Sequence, residues 1–432
     1  MRRRAPAVID LTLDRMRALL AALGHPEQRL PPVVHIAGTN GKGSVLALIR
    51  AMLEAAGHRV HAFTSPPVRS VYDAIWLASA DGRSAEITDD DYATLLERVL
   101  AASERTPVTA FEAETAAALL AFSETPADLL LLEVGMGGRL DATNVIGQPR
   151  LTVITPIGLD HQAFLGATLA EITAAKAGIL KRDVLGIIAR QEPESLDVIE
   201  AEAARVRAPL VVHGRDFDAY AQNGRLVYQD EDGLLDLPPP ALAGPHQVDN
   251  AGTAIAAVLR LGEHKPSSEA IAQGLRTVRW PGRLQPLPAL LARSGLPDGS
   301  ELWVDGGHNH TAALAIAEAL RRRTVERPLP LHLIIGMLAS RDPGPYLQPL
   351  VPLAASLIAV PIPDTSRAYA KAHAPAAIAE AARSVGGMAS EATSVEAALT
   401  QLATSREPVR VLIAGSLHLA GAVLAAEDAA AS

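Results

Sequence analysis

The chain contains no cysteine in its 432 residues. Disulfides, thiolate nucleophiles and Cys-ligated zinc are therefore excluded. Any metal must be held by oxygen or imidazole, which suits magnesium or manganese. Aromatic residues are scarce, at 3%, so Leu, Ile, Val and Ala must fill the core of a chain that is 49% hydrophobic and 20% charged, an ordinary globular balance. Lysine is rare too, found only as Lys42, Lys176, Lys181, Lys265 and Lys371. Arginine fills most other basic positions, which makes each lysine more informative. A basic excess is also missing. At a net charge of -9, binding driven by nucleic-acid phosphates is disfavoured, although a locally positive field still suits a small anion. Arg2, Arg3 and Arg4 are followed by Ala5-Pro6-Ala7-Val8-Ile9-Asp10 and not by an apolar run, so no signal peptide is expected. The most apolar long stretch, 411–426, holds Gly415, Ser416 and His418 and reads as strand, turn and buried helix, not as a membrane span. A cytoplasmic location without a membrane partner is the expectation.

What is present is an alternation of short apolar runs and helical patterns. Strands are expected at 33–37, 60–63, 128–134, 151–155, 185–188 and 209–212, with helices at 45–56, 115–122 and 168–180. This rhythm predicts an α/β fold with a doubly wound, mostly parallel sheet of the P-loop type. Between 214 and 240 the pattern turns polar, and Asn223-Gly224 and Asp232-Gly233 mark turns of a small β excursion. A helix resumes at 249–261. Trp280-Pro281-Gly282-Arg283 and the prolines after it break the chain, predicting a first domain over 1–285 and a second, smaller Rossmann-like α/β domain over 286–432. In the second, strands are expected near 302–304, 331–335, 356–360 and 410–414, and helices at 311–322, 375–383, 395–403 and the C-terminus.

The strongest motif is His35-Ile36-Ala37-Gly38-Thr39-Asn40-Gly41-Lys42-Gly43-Ser44, between a strand and a helix. Glycines at 38, 41 and 43 let backbone N–H groups turn toward phosphate oxygens, and the helix N-terminus adds partial positive charge. Lys42 is placed to hold the β and γ phosphates of ATP, and Ser44 to offer a hydroxyl to Mg2+. A strict Walker A pattern fails, since Ile36 replaces its first glycine and Gly43 separates Lys42 from Ser44. A ligand-free strand-to-helix turn is the bland alternative. Glu133 ends a buried strand, where ligands of open α/β sheets gather. A carboxylate there suits magnesium, or else forms a salt-bridged strand end.

Gly-Thr-Asn-Gly-Lys-Gly-Ser resembles the phosphate loop of the Mur ligase family, and more closely that of folylpolyglutamate synthases and dihydrofolate synthases. Further matching segments follow in family order: Glu133 to Asn144, Gly158-Leu159-Asp160-His161, Glu171 to Gly178, His246 to Asn250, Pro281-Gly282-Arg283, Asp305 to Asn309, and Gly415-Ser416-Leu417-His418. The resemblance implies ATP-dependent activation of a pteroate or folate carboxylate as an acyl phosphate, then capture by L-glutamate. It implies that His161 joins Glu133 on a second Mg2+, and that Lys176 becomes a carbamate ligand. Thr39, Asn40, Asn250, Arg283 and Asp305 are implied to meet ATP, with His308 acting beside Lys42 and Lys176 in catalysis. The site is then complete only when the domains close. A monomer is expected.

The acceptor region departs from the family. Relatives carry Ser-Pro-His-Leu and then Asn-Glu-Arg-Ile, whereas here Pro67 replaces the His and Tyr72-Asp73-Ala74 replaces Asn-Glu-Arg. Ser65 and Pro66, with Phe111 and Glu112 of the folate-like segment Thr109 to Thr115, are the implied acceptor-binding residues. Three readings stay open beside the folate ligase: a related ligase with another carboxylate acceptor, a P-loop kinase, and a non-catalytic nucleotide-binding module.

Overall fold

The computed structural model describes residues 11–80, 82–104, 106–363 and 371–431. The Arg2–Arg4 run and the segment after it lie outside the described residues. The chain forms two compact units. One holds the chain as far as Pro67, then Val71–Ala241 and Gln247–Arg279; the other holds Val68–Ser70, Leu242–His246 and Trp280 onward. Among the described residues no helix is long and apolar enough to cross a membrane.

The first unit is built on an eight-stranded sheet. Its strands are β1 (Val33–Ala37), β2 (Val60–Phe63), β3 (Ile75–Ala78), β4 (Ser84–Glu86), β5 (Leu129–Glu133), β6 (Leu151–Ile154), β7 (Gly186–Ile188) and β8 (Leu210–Val212), in the order β4-β3-β2-β5-β1-β6-β7-β8. All pairs are parallel except β2–β3 and β3–β4. The doubly wound expectation therefore holds, with an antiparallel edge that the apolar rhythm does not single out. The edge runs Ile75-Trp76-Leu77-Ala78 follow the irregular segment 65–74, whose prolines and charges mask the short strand. Leu129 to Leu132 are all fully buried, as a central strand covered on both faces requires.

The helices are α1 (Asp14–Ala22), α2 (Lys42–Ala55), α3 (Asp89–Ala102), α4 (Ala110–Glu124), α5 (Gln162–Leu165), α6 (Leu169–Ala177), α7 (Pro193–Val206), α8 (His246–Val258) and α9 (Ser268–Thr277). Helix α2 starts three residues earlier than its apolar pattern suggests, so Lys42 is itself its first residue. Helices α1, α3, α7 and α9 also go beyond the expected elements. Their signals are caps and amphipathic spacing, as in α3, where Thr88 Oγ1 accepts Asp91 N–H and Tyr92, Leu95 and Val99 face inward. The small excursion is a three-stranded antiparallel sheet of β9 (Phe217–Gln222), β10 (Arg225–Asp230) and β11 (Gly233–Leu237). Asn223-Gly224 forms its first turn with both φ positive. The second turn is Glu231-Asp232, one residue earlier than expected, because Gly233 already pairs with Asp230.

The second unit holds a six-stranded sheet of β12 (Gln285–Pro286), β13 (Glu301–Val304), β14 (Leu331–Ile335), β15 (Ser356–Ala359), β16 (Ala389–Glu391) and β17 (Arg410–Ala414), in the order β12-β13-β17-β14-β15-β16. Only β12 is antiparallel to its neighbour. At the start of β17 the fully buried Arg410 donates to Glu301 at 2.8 Å and to the carbonyls of Arg323 and Arg327. These carbonyls end the helix His310–Glu326, so one guanidinium satisfies a carboxylate and a helix C-terminus together. Burial alone would raise the Glu301 carboxyl, but Arg410 and Arg323 prevail and bring it down to about 2.

Candidate active site

Strand β1 lies between β5 and β6, so the loop leaving it stands beside the carboxyl ends of both neighbours, where open α/β sheets collect ligands. The loop is tied to the β6 side first. Thr39 N–H and Asn40 N–H both donate to Pro156 O, and Thr39 Oγ1 exchanges hydrogen bonds of 3.1 Å with Gly158. Those two backbone donors are thus committed to the loop's own shape. The donors aimed forward come from the first turn of α2. Val45 N–H is the first to reach back, to Gly41 O, so the N–H groups of Lys42, Gly43 and Ser44 lie ahead of any intrahelical acceptor. Gly41 takes φ +87°, and a Cβ there would come within 2.6 Å of Asn250 Oδ1. The position needs glycine for both reasons, and Asn250 of α8 is pressed against the loop. Asn250 Nδ2 donates to Gln247 Oε1, which leaves Oδ1 as the atom facing Gly41.

Lys42 Nζ stands 3.8 Å from Glu133 Oε1, with the Glu133 side chain 6% exposed. The turn and the acidic strand end therefore converge, as the chemistry requires. Ser44 is also buried, on the same first turn. Lys176 is the larger surprise for a mid-helix lysine flanked by alanines. It is 3% exposed and donates to Gly38 O at 2.9 Å. Burial, with Lys42 nearby, draws its amine down to about 7. Helix α6 is fixed by a Thr168–Glu171 capping box, and Arg139 N–H docks the loop after β5 onto Ala175 O. Loop and helix together aim the lysine beneath the phosphate turn.

His161 is placed less decisively. It caps the four-residue α5 at φ +51°, its side chain is 35% exposed, and its N–H meets Asp160 Oδ1. Among the described residues no three His, Asp or Glu side chains form a group fit to hold a metal ion. Glu133 and Ser44 still fit one magnesium, because that ion takes one or two protein oxygens and completes its shell with phosphate and water.

In the segment that the sequence implies for the acceptor, the Ser65–Pro66 peptide is cis. Phe111 is the second residue of α4, which is capped by Thr109, and its ring fills the space where a side chain on Gly135 would lie. It thus rests two residues beyond Glu133. Glu112 is buried and already engaged, accepting Arg15 Nε–H at 3.1 Å and Thr109 N–H at 2.7 Å. Its geometry shows a capping and bracing carboxylate.

Within the second unit, Asp305 follows β13 and Ser416 follows β17, its parallel neighbour. Asp305 accepts Leu284 N–H and Gly307 N–H, His308 Nδ1 donates to Gly306 O, and Asn309 caps the next helix through Ala312 N–H. Arg283 Nη1 lies 3.2 Å from where a Cβ on Gly306 would stand. His246 is lowered by burial, with Asp305 and Arg283 acting on it in opposite senses, and His418 is lowered by burial and by His308. The sequence motifs of this unit are therefore gathered at the carboxyl ends of two adjacent strands.

Sequence reasoning passes over the supports. His35, inside β1, meets Thr143 Oγ1 at 2.9 Å, and that hydroxyl donates to Asp141 Oδ1 at 2.6 Å. The threonine has one proton to give, so His35 carries its hydrogen on Nε2. Gln191 bridges Ile157 N–H and Thr155 O. Asp141, Thr143 and His35 fall within the sequence motifs, but nothing in the local sequence marks the contact among them or singles out Gln191. A groove of about 860 Å³ lies at the far end of α2 from Lys42, by His58 and Arg276, and has no part in this arrangement.

The model of the Mur ligase middle domain matches residues 36–258, and that of the dihydrofolate synthetase C-terminal domain matches residues 296–426. The dihydrofolate synthase/folylpolyglutamate synthase of Bacillus subtilis is 37% identical over 326 residues, 72% of each chain. Among solved structures, Mycobacterium tuberculosis folylpolyglutamate synthase complexed with ADP and AMPPCP is 30% identical with TM-score 0.82, covering 96% of this chain and 95% of the other. Escherichia coli FolC in complex with DHPP and ADP is 28% identical with TM-score 0.85, covering 99% and 95%. The chain belongs to the Mur ligase family, in its folylpolyglutamate synthase/dihydrofolate synthase branch.

Proposed function

We propose that this protein joins L-glutamate to the carboxylate of a pteroate or folate at the expense of ATP. The observation that carries the reading is the convergence of Lys42, Glu133 and Lys176 on one phosphate turn. A carboxylate oxygen of the acceptor attacks the γ phosphorus, ADP departs, and an acyl phosphate forms. The neutral amine of glutamate then attacks the acyl carbon, phosphate leaves, and the new amide nitrogen loses its extra proton. Lys42 and the first N–H groups of α2 stabilise charge on the transferred phosphoryl group, and Asn250 holds the turn in shape. Magnesium, held by Ser44 and Glu133, would neutralise phosphate charge. Arg283, Asp305 and His308 belong to the same reading as nucleotide-contacting groups, and His161 as a metal ligand.

Lys176 is the residue for carbamate formation. Drawn down to about 7, its amine is about half neutral near pH 7, and the neutral form is the one that reacts with carbon dioxide. The carbamate would supply the oxygen anion that Glu133 and His161 need as a third partner. Support for a glutamate and metal site comes from a relative, a bifunctional folylpolyglutamate synthase/dihydrofolate synthase solved with Mn, AMPPNP and L-glutamate bound.

The test is an acceptor screen with ATP, glutamate and magnesium, read by mass spectrometry. One added glutamyl unit on dihydropteroate or tetrahydrofolate is the expected product. Phosphate release should need acceptor and glutamate together, which separates a ligase from a kinase. No turnover with any pterin, but turnover with another carboxylate, would move the chain to a different acceptor, in keeping with its altered segment at residues 65–75.

A further inference from the structure

Of the five lysines, Lys265 and Lys371 are exposed, while Lys42 and Lys176 belong to the phosphate turn. Lys181 is the fifth. It lies partly buried just past the end of α6, and the phosphoryl and acyl steps make no direct use of it. Its Nζ donates to Asn144 Oδ1 at 2.6 Å and to Gly178 O at 3.4 Å. Burial, and then Arg139, draw its amine down to about 8, so at neutral pH the donor is still mostly the ammonium. That bond decides how the Asn144 amide lies. Its Nδ2 donates to Arg139 O at 3.0 Å and to Gly178 O at 3.3 Å. Turned over, the amide would set its oxygen against two carbonyls and its NH2 against an ammonium. One side chain thus joins the loop after β5 to the C-terminal end of α6.

Around that join the two backbones touch. A Cβ on Gly178 would collide with the Arg139 side chain, and one on Gly138 would come within 2.8 Å of Lys176 O. Arg139 N–H donates to Ala175 O, and Arg139 Nη2 reaches Glu202 of α7 at 2.7 Å. The loop leaves the strand that ends in Glu133, and the helix carries Lys176. Capping α6 would need less than this. Gly178 O stands at the end of the helix, where the Lys181 cation can satisfy it and complement the dipole without Asn144. The further hydrogen bond from Asn144 to Arg139 O serves the join, not the cap. Lys176 has little slack to spare, because its Nζ meets Gly38 O at 2.9 Å from a buried position.

We propose that Asn144 and Lys181 are positioning residues for the ligase reaction, a latch that holds the loop after β5 against the end of α6 and so fixes where Lys176 stands relative to Glu133. Neither side chain touches a substrate in this reading. The inference rests on the ligase reading, which gives Lys176 and Glu133 a shared task, and it deepens that reading by naming what keeps them in register.

The experiment compares the full chain with Asn144→Ala, Asn144→Asp, Lys181→Met and the double variant Asn144→Ala/Lys181→Met. Phosphate release with ATP, dihydropteroate and glutamate gives kcat and KM. Brief acetylation with trace acetic anhydride, read at each of the five lysines by mass spectrometry, reports how open each amine is. Asn144→Ala should lower kcat about tenfold to a hundredfold and leave KM for ATP unchanged. Acetylation of Lys176 should rise severalfold while Lys42 reacts as in the wild type. Lys181→Met should act in the same direction by a smaller factor. The double variant should fall no further than Asn144→Ala, since the two residues act as one unit. A cap that served stability alone would lower Tm but leave kcat below Tm, and the acetylation of Lys176, at wild-type values; either unchanged value overturns the inference and leaves the ligase reading standing. A rise in KM for ATP that matches the loss of kcat, or multiplied losses in the double variant, also overturns it. If Asn144→Ala loses its fold by circular dichroism, Asn144→Asp, which keeps the acceptor for Lys181 and removes both donors, carries the same expectations. A wild type without turnover on any acceptor overturns the ligase reading, and the inference with it.

Discussion

The two ends of the first unit's site are built on different principles. At the end proposed for the nucleotide, charged side chains are placed by the fold's own contacts. Lys42 faces Glu133, Lys176 is held on Gly38 O, and Asn250 braces Gly41. At the end proposed for the acceptor, Glu112 is engaged by Arg15 and by Thr109 N–H, while Glu114 is only half-buried. The triphosphate is the same in any such reaction, so its end can be rigid and closed around one geometry. The acceptor is what distinguishes related ligases, and a site that hydrogen-bonds one acceptor rejects another that lacks the matching groups.

The sharpest way to break this contrast is at the nucleotide end. Lys42→Ala and Glu133→Ala should each lower glutamate-dependent phosphate release by about 10²- to 10³-fold, with the fold retained by circular dichroism; retained turnover would dissolve the proposed site. Lys176→Ala should lose most activity next, and added bicarbonate should not restore it. Stability gives that residue a separate readout. Its amine falls to about 7 in the fold against 10.5 outside, so the unfolded chain binds the extra proton between those values. Wild-type stability should therefore rise with pH across that window relative to Lys176→Met, and be lowest below pH 7. A flat difference in Tm across the window would remove the buried neutral amine.

Two glycine substitutions separate the ends. Gly41→Ala adds a methyl against Asn250 at a positive φ and should raise KM for ATP roughly tenfold while sparing the acceptor. Gly135→Ala, which pushes on the Phe111 ring, should raise KM for the acceptor by a similar or smaller factor while sparing ATP. Equal effects on both substrates in either variant would merge the two ends into one. The smallest effect concerns the support beneath them. His35 is lowered to about 3 by burial and then Lys181. Its contribution is intact above pH 6.5 and is lost as pH falls from there toward 3, at most about 1.4 kcal/mol per pH unit. His35→Gln should flatten that part of the Tm profile, and an unchanged slope would contradict a neutral imidazole inside β1.

Legibility in the sequence followed the range of the interaction. The strand rhythm, the Gly-rich turn and Asn223-Gly224 are readable because each depends on neighbours a few residues away. The edge strands β3 and β4 were not, since they are defined by pairing across β2 and follow an irregular segment. Glu112 and Glu114 look alike in sequence. They differ because Arg15, nearly a hundred residues earlier, reaches one and not the other.

The sequence alone determined the alternation of elements, the turn that carries Lys42 and the buried strand ending in Glu133, because local propensity and apolar periodicity encode them; the family was legible in the order of its motifs. Only the tertiary structure decided that Lys176 is buried under the phosphate turn, that two loop N–H groups are committed to Pro156 O, and that Glu112 is met by Arg15. Desolvation and long-range hydrogen bonding arise from what the chain brings together in space, and neither is written at the position that feels it.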